Sequence, residues 1–194
     1  MQIYKKDMWA VPIWGHDIPL DQIDINVIKD ECYKIKKTTP TAEVSNMGGY
    51  QGHQFDISKF KELKKFKDYL NRFVETIKLD FNIPLDRPIE VKDIWVNINK
   101  KHSSNRSHIH GGVFSGVCYI QADQNSGAIY FQNPSSDRSY FLSTYTNQNS
   151  DYTCDEICFD PAPGRLIVFP SWVPHGVFPN ESNRDRISIA FNFG

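Results

Sequence analysis

Residues 107–117 read SHIHGGVFSGV and place two histidines two positions apart, in a chain that has only six. On an extended segment, side chains at i and i+2 leave the same face, so His108 and His110 point the same way. Such a pair is either a chance feature of a wet strand or two ligands of one metal ion. A third histidine, His175, follows the apolar run 166–169 and a proline-rich turn, and Arg186-Ile187-Ser188 opens a further apolar run. This set suits an iron centre that activates oxygen. Three side chains on one face of Fe(II) leave adjacent positions for a chelating cosubstrate and for O2. The distal carboxylate of such a cosubstrate needs a planar bidentate donor, which arginine supplies better than lysine. Ser188 shares the face of Arg186 on a strand and can bond the same carboxylate.

Residues of this kind need a rigid frame, and the chain changes character near residue 90. Before it, helical periodicity dominates. Asp21 or Asp24 caps a helix over about 25–37, with Val27, Ile28, Cys32 and Ile35 on one face. The stretch 45–53, SNMGGYQGH, reads as a loop. Asp56 or Ser58 then opens a longer helix to about Phe81, whose aromatic and aliphatic stripe packs on a sheet. From Ile89 onward strand signals take over, at 89–99, 114–122, 128–132, 139–146, 166–169 and 186–193. Short strands with turn signals between them suggest a sandwich or barrel. The reading is a single domain over 1–194, in which a mainly helical part, 1–88, covers one side of a β core, 89–194.

The residues also carry a resemblance. GRLIVFPSWVPHGV at 164–177, followed by RISIAFNF at 186–193, resembles the distal half of the Fe(II)/2-oxoglutarate-dependent dioxygenases, especially the prolyl-hydroxylase-like group. HIHGGVFSGVCYI at 108–120 stands where that superfamily has a His-x-Asp motif ahead of a strand. The likeness is greatest to a group of iron/2-oxoglutarate oxygenases with His-x-His, SGVYY-like and FPSWxxHxVxPN-like segments, and 45–53 is similar to the same group's glycine-rich signature. The matched segments run from about 45 to 193, although 54–90 carries no diagnostic motif.

The resemblance implies a double-stranded β-helix (a jelly-roll) with flanking helices, Fe(II) as metal and 2-oxoglutarate as cosubstrate. His108 and His175 match the two metal histidines, and Arg186, with Ser188 beside it, matches the 2-oxoglutarate-binding arginine. Tyr119 is similar to a strand tyrosine that bonds the cosubstrate in some relatives. Asn97 and Asn99 resemble polar contacts to it in other branches. His110 departs from the pattern, because most of the superfamily has a carboxylate there. Three neutral imidazoles leave Fe(II) its full +2, which a dianionic 2-oxoglutarate neutralises. His110 is read as the third ligand. The alternative makes it an outer residue, with water or a more distant acid such as Asp93 in that place. His108, His110, His175 and Arg186 are thus expected to carry the chemistry: decarboxylation of 2-oxoglutarate coupled to hydroxylation of a peptide, protein or small molecule.

Composition bounds the rest. A net charge of −1 offers no phosphate-binding field, so nucleic acid and anionic membrane are poor partners. The Lys-rich 61–68 segment reads as the wet face of a helix. Four cysteines without a framework suit reduced thiols in a cytoplasm. Cys154 and Cys158 are placed in a loop, and the polar 100–107 segment, with His102 and Arg106, is a solvated loop that can serve as a lid. Trp172 is placed beside the metal loop, and Tyr130, Phe131 and Tyr140 near the mouth of the barrel. Homodimerisation stays open. So do two rival readings, a three-histidine cupin-like dioxygenase that does not use 2-oxoglutarate and a non-catalytic metal-stabilised binding module.

Overall fold

In the computed structural model the described residues are 10–19, 21–135, 145, 150 and 153–194. Among the described residues, eleven strands and two α-helices follow in the order β1 (Trp14–Asp17), α1 (Ile25–Thr38), β2 (Asn46–Met47), β3 (Tyr50–Gly52), α2 (Lys61–Lys78), β4 (Val91–Asn99), β5 (Ser104–His108), β6 (Phe114–Gln121), β7 (Ile129–Gln132), β8 (Glu156–Phe159), β9 (Arg165–Pro170), β10 (His175–Val177) and β11 (Arg186–Phe193). They form a six-stranded sheet, β1-β9-β6-β11-β4-β3, and a five-stranded sheet, β2-β5-β10-β7-β8. Every pairing is antiparallel. This is the double-stranded β-helix with an N-terminal helical layer that the sequence led us to expect.

The larger sheet is covered on both faces, which is why its strands read as nearly continuous apolar runs. Val96, Ile98, Cys118, Ile120, Leu166, Val168, Ile187, Ile189 and Phe191 face the helices and share one buried cluster with Ile28, Cys32 and Ile35 of α1 and Leu63, Phe66, Leu70, Val74 and Ile77 of α2. The alternate residues face the smaller sheet. There Val117, Tyr119, Ile167 and Phe169 join Ile129, Phe131 and Val173 in a second cluster. Asn97, Asn99, Arg186 and Ser188 lie on this same inner face, in the cleft between the sheets.

Several expectations are corrected. Val27 is exposed, and the fourth buried residue of α1 is Glu31. Asp24, rather than Asp21, caps that helix, accepting from the Asn26 and Val27 N–H groups. The long second helix is divided. Asp56 caps a 3-10 turn at Ile57–Lys59, α2 runs from Lys61, and a second 3-10 turn closes at Leu79–Phe81 with Asn82 in the left-handed region. The segment 45–53 is not a loop throughout, since β2 and β3 sit on either side of the Gly48-Gly49 turn. Of the expected loop 100–107, only 100–103 is a turn; from Ser104 to His108 it is β5, paired with β2 and β10. Its residues have no apolar alternation, so pairing rather than pattern makes it a strand. Cys158 lies on β8, and all four cysteines are free. The expected strand 139–146 lies outside the described residues apart from Tyr145, and Tyr140 lies outside them altogether.

Candidate metal centre

His108 ends β5 and His175 opens β10, and the two stand directly opposite in the antiparallel register. His110 lies beyond the strand, in a turn held by two hydrogen bonds: its own N–H donates to the Ser171 carbonyl at 2.9 Å, and Val113 N–H donates to the Phe193 carbonyl at 2.9 Å. Gly112 has φ 96° and approaches so closely that a Cβ would sit 2.6 Å from the Phe193 oxygen. Only glycine fits there. The turn brings all three imidazoles together, with one ligand nitrogen from each within 4.8 Å of the others.

Two of the rings are held in orientation. His108 Nδ1 meets the Arg106 carbonyl at 2.6 Å and His175 Nδ1 meets the Val173 carbonyl at 2.9 Å. Each Nδ1–H is thereby committed to a carbonyl, leaving Nε2 as the free lone pair, the usual way in which a protein fixes a ligating tautomer. Burial lowers the pKa of His108. Burial, then the neighbouring His108, takes His110 down to about 4, although Asp93 opposes the shift. Burial takes His175 down to about 3. All three are neutral at pH 7, the form that binds a metal. Asp93 is not part of the three-histidine cluster; its Oδ2 accepts from Asn192 Nδ2 at 3.3 Å.

Beyond the histidines the cleft extends toward Arg186, and it encloses about 500 Å³ with its open mouth included. Arg186 is fully buried. Its Nη1 donates to the Ser126, Gly127 and Phe178 carbonyls, the latter two at 3.1 and 3.0 Å, while Nη2 has no partner. Nη1 is thus anchored by backbone carbonyls, and Nη2 is left for a ligand. Burial lowers its pKa, yet arginine remains a cation. The Tyr119 hydroxyl is also buried and unpartnered, and burial raises its pKa to about 12, so it stays a donor. A cationic N–H and a phenol O–H, both unpaired in one pocket, match a carboxylate.

The structure therefore brings His108, His110, His175, Tyr119, Asn97, Asn99, Arg186 and Ser188 to one cleft. Other expected neighbours do not line the cleft. Trp172 is half exposed on the turn after β9. Phe131 is buried behind His175, with ring centroids 6.0 Å apart, and Tyr130 lies tilted against Phe178 outside the cleft, with ring centroids 4.6 Å apart. His102 pairs with Glu181 at the surface. Sequence reasoning missed Ser45, Gln51, Trp95 and Asn105 of the lining. Trp95 was legible as the residue two before Asn97 on the same strand face. Gln51 and Ser45 lie in a glycine-rich stretch whose strands are too short to show a period.

Residues 93–192 match the family model described as "Putative 2OG-Fe(II) oxygenase". No curated protein matches the chain. Solved structures do. A Pseudomonas putida prolyl-4-hydroxylase aligns over 94% of this chain and 93% of its own at 16% identity, with TM-score 0.66. The viral collagen prolyl hydroxylase of Paramecium Bursaria Chlorella virus-1, solved with 2-oxoglutarate, aligns over 93% and 94% at 12% identity, with TM-score 0.62. HygX from Streptomyces hygroscopicus, solved with nickel, 2-oxoglutarate and hygromycin B, aligns over 95% and 83% at 10% identity, with TM-score 0.61. At such identities these likenesses speak for the shared fold. The family match itself spans strands β4 to β11, more than half of the chain and every residue of the three-histidine cluster, and it places the chain in the 2OG-Fe(II) oxygenase family, with Fe(II) as cofactor and 2-oxoglutarate as cosubstrate.

Proposed function

We propose that His108, His110 and His175 are the protein ligands of Fe(II), and that Arg186, Tyr119 and Ser188 receive the distal carboxylate of 2-oxoglutarate. One observation carries this reading: three neutral imidazoles converge at one end of a cleft whose other end holds an unpaired guanidinium N–H and an unpaired phenol O–H. With its metal and cosubstrate bound, the centre supplies the chemistry that couples O2 reduction and decarboxylation of 2-oxoglutarate, giving succinate and CO2, to hydroxylation of a substrate C–H bond.

The chain's own part is binding, orientation and shielding. His108 and His175 are held by carbonyls, so little rotational freedom is lost on binding metal. Three neutral donors leave the metal's charge intact, and the dianionic cosubstrate compensates it. Arg186, locked by three carbonyls, costs no reorganisation when a carboxylate arrives. Phe169, Val117 and Ile129 form the apolar wall that keeps water from the reacting end of the cleft. Asn97 and Asn99 are further polar contacts on the cosubstrate side. The substrate is a peptide or a small organic molecule; structurally similar proteins include prolyl hydroxylases and HygX, which was solved with hygromycin B. Four free cysteines, two of them buried, suit a cytoplasmic location. Among the described residues, no helix is long and apolar enough to cross a membrane.

Anaerobic titration of the Fe(II)-loaded protein with 2-oxoglutarate tests the reading. A visible charge-transfer band of the chelated 2-oxo acid is expected, weakened in Arg186→Ala. Iron binding without that band would overturn the cosubstrate assignment.

A further inference from the structure

The glycine-rich stretch 45–52 builds part of the cleft wall. Gly48 turns with φ +75°, and Asn46 staples the turn, its Nδ2 donating to the Gly49 carbonyl at 2.6 Å and its Oδ1 accepting from Gly49 N–H at 3.1 Å. Gly49 lies so close to Asn99 that a Cβ there would be 2.6 Å from Asn99 Nδ2. The turn delivers Gln51 to β3, where its backbone is fixed on both sides: its N–H donates to Thr41 Oγ1 at 3.0 Å and its carbonyl accepts from Ala42 N–H at 2.8 Å. Across the sheet Gln51 stands opposite Asn97, Asn97 opposite Ser188, and Ser188 opposite Tyr119. All four face the cleft, as one row across four strands. Asn99 stands opposite Arg186 in the next row.

Gln51 is 4% exposed and Asn99 is 1% exposed, yet Gln51 Oε1 and Asn99 Nδ2 have no hydrogen-bond partner. They share this state with Arg186 Nη2 and Tyr119 OH in the same cleft. Buried polar groups left unpaired are costly, and four gathered around one cavity call for a ligand. No Asp or Glu is among the described residues that line it, so the wall is donor-rich with one cation. A primary carboxamide presents either a donor or an acceptor by a half-turn of its last torsion, so Gln51 can donate. An anion with several acceptor sites fits this wall.

We propose that Gln51 is a further 2-oxoglutarate-binding residue, and that the stretch 45–52 is built to present it. The assignment rests on the reading of the cleft as the 2-oxoglutarate site. It is tested on the full chain by anaerobic 2-oxoglutarate titration of the Fe(II)-loaded wild type, Gln51→Leu, Gln51→Glu and Arg186→Ala, read in the charge-transfer band. Fe(II) affinity by calorimetry and melting of the metal-free proteins accompany it. Gln51→Leu weakens 2-oxoglutarate about tenfold, the worth of one hydrogen bond to a charged group. Gln51→Glu weakens it further by like-charge repulsion. Fe(II) affinity is unchanged in Gln51→Leu, and its metal-free melting temperature is equal to or above that of wild type, because leucine removes a buried unpaired polar group. Affinity within about twofold of wild type, less than the worth of one such bond, overturns the assignment. So does a loss that comes with a lower melting temperature and lost iron. A band present in wild type, lost in Arg186→Ala and intact in Gln51→Leu removes Gln51 alone; no band in wild type removes the site reading with it.

Discussion

His110 is the residue on which the proposed metal centre turns. His108 and His175 are each held by a backbone carbonyl, whereas His110 owes its place to the turn that carries it and to the Trp95 ring, whose centroid is 5.5 Å away. As a proposed ligand with no backbone carbonyl on its ring nitrogen, His110 is the one of the three most readily replaced by water. His175→Ala and His108→Ala should therefore abolish micromolar binding of Fe(II) or Ni(II), while His110→Ala should bind more weakly but measurably in calorimetry. Wild-type affinity in His110→Ala would remove it from the ligand set. At this scale the sequence was informative where chemistry is concentrated in unusual types and spacings: the His-x-His pair, the distant histidine, and the arginine with its serine two positions on. It was silent about which atoms of Arg186 are free, because the carbonyls that occupy Nη1 come from two segments far apart in the chain, Ser126-Gly127 and Phe178.

Elements were legible in proportion to their length and pattern. β11, expected over 186–193, was found to its ends and α2 was found in place though overshot at both ends, whereas β2, β3 and β10 have two or three residues and no period to show. Helix ends also depended on partners distant in sequence. Phe60 cannot cap α2 with its side chain, and the cap comes from α1 instead: Glu31 Oε1 and Oε2 accept from the Glu62 and Leu63 N–H groups at 3.2 and 2.9 Å. Glu62 in turn accepts at 2.9 Å from the N–H of Asp24, the residue that caps α1. The two helices thus satisfy each other's first turns, and no local reading of either reveals it. A carboxylate at a helix N-terminus also meets the positive end of the helix dipole. Glu31→Ala should cost about 1–2 kcal/mol of stability, the worth of a lost helix cap, measured by urea unfolding, and Glu31→Gln should cost less. Because the helices cover the face of the sheet opposite the cleft, 2-oxoglutarate affinity should not change. A stability equal to wild type in Glu31→Ala would show that water caps α2 as well as the carboxylate does.

For the whole molecule, the larger sheet carries two unlike tasks on its two faces. Toward the helices it is a dry core, and toward the smaller sheet it is a cleft with buried polar groups that lack partners. The unliganded protein therefore holds a local deficit of hydrogen bonds that its ligands remove, and ligand binding should appear as stability. A ligand that binds only the folded chain stabilises it by RT ln(1 + [L]/Kd), about 2.7 kcal/mol at a hundredfold excess over Kd. The two ligands also help each other. The metal supplies the anchoring point for one end of the 2-oxo acid, and the acid neutralises the metal's charge, so each raises the affinity of the other by the same factor. Melting should accordingly show a modest rise with Ni(II) alone, little with 2-oxoglutarate alone, and a rise with both that exceeds the sum. In Arg186→Ala the Ni(II) step should persist and the additional step with 2-oxoglutarate should shrink, because that substitution touches only the far end of the cleft. An equal effect of 2-oxoglutarate with and without metal would mean that the acid binds elsewhere, and that the unpaired groups of the cleft wait for a different ligand.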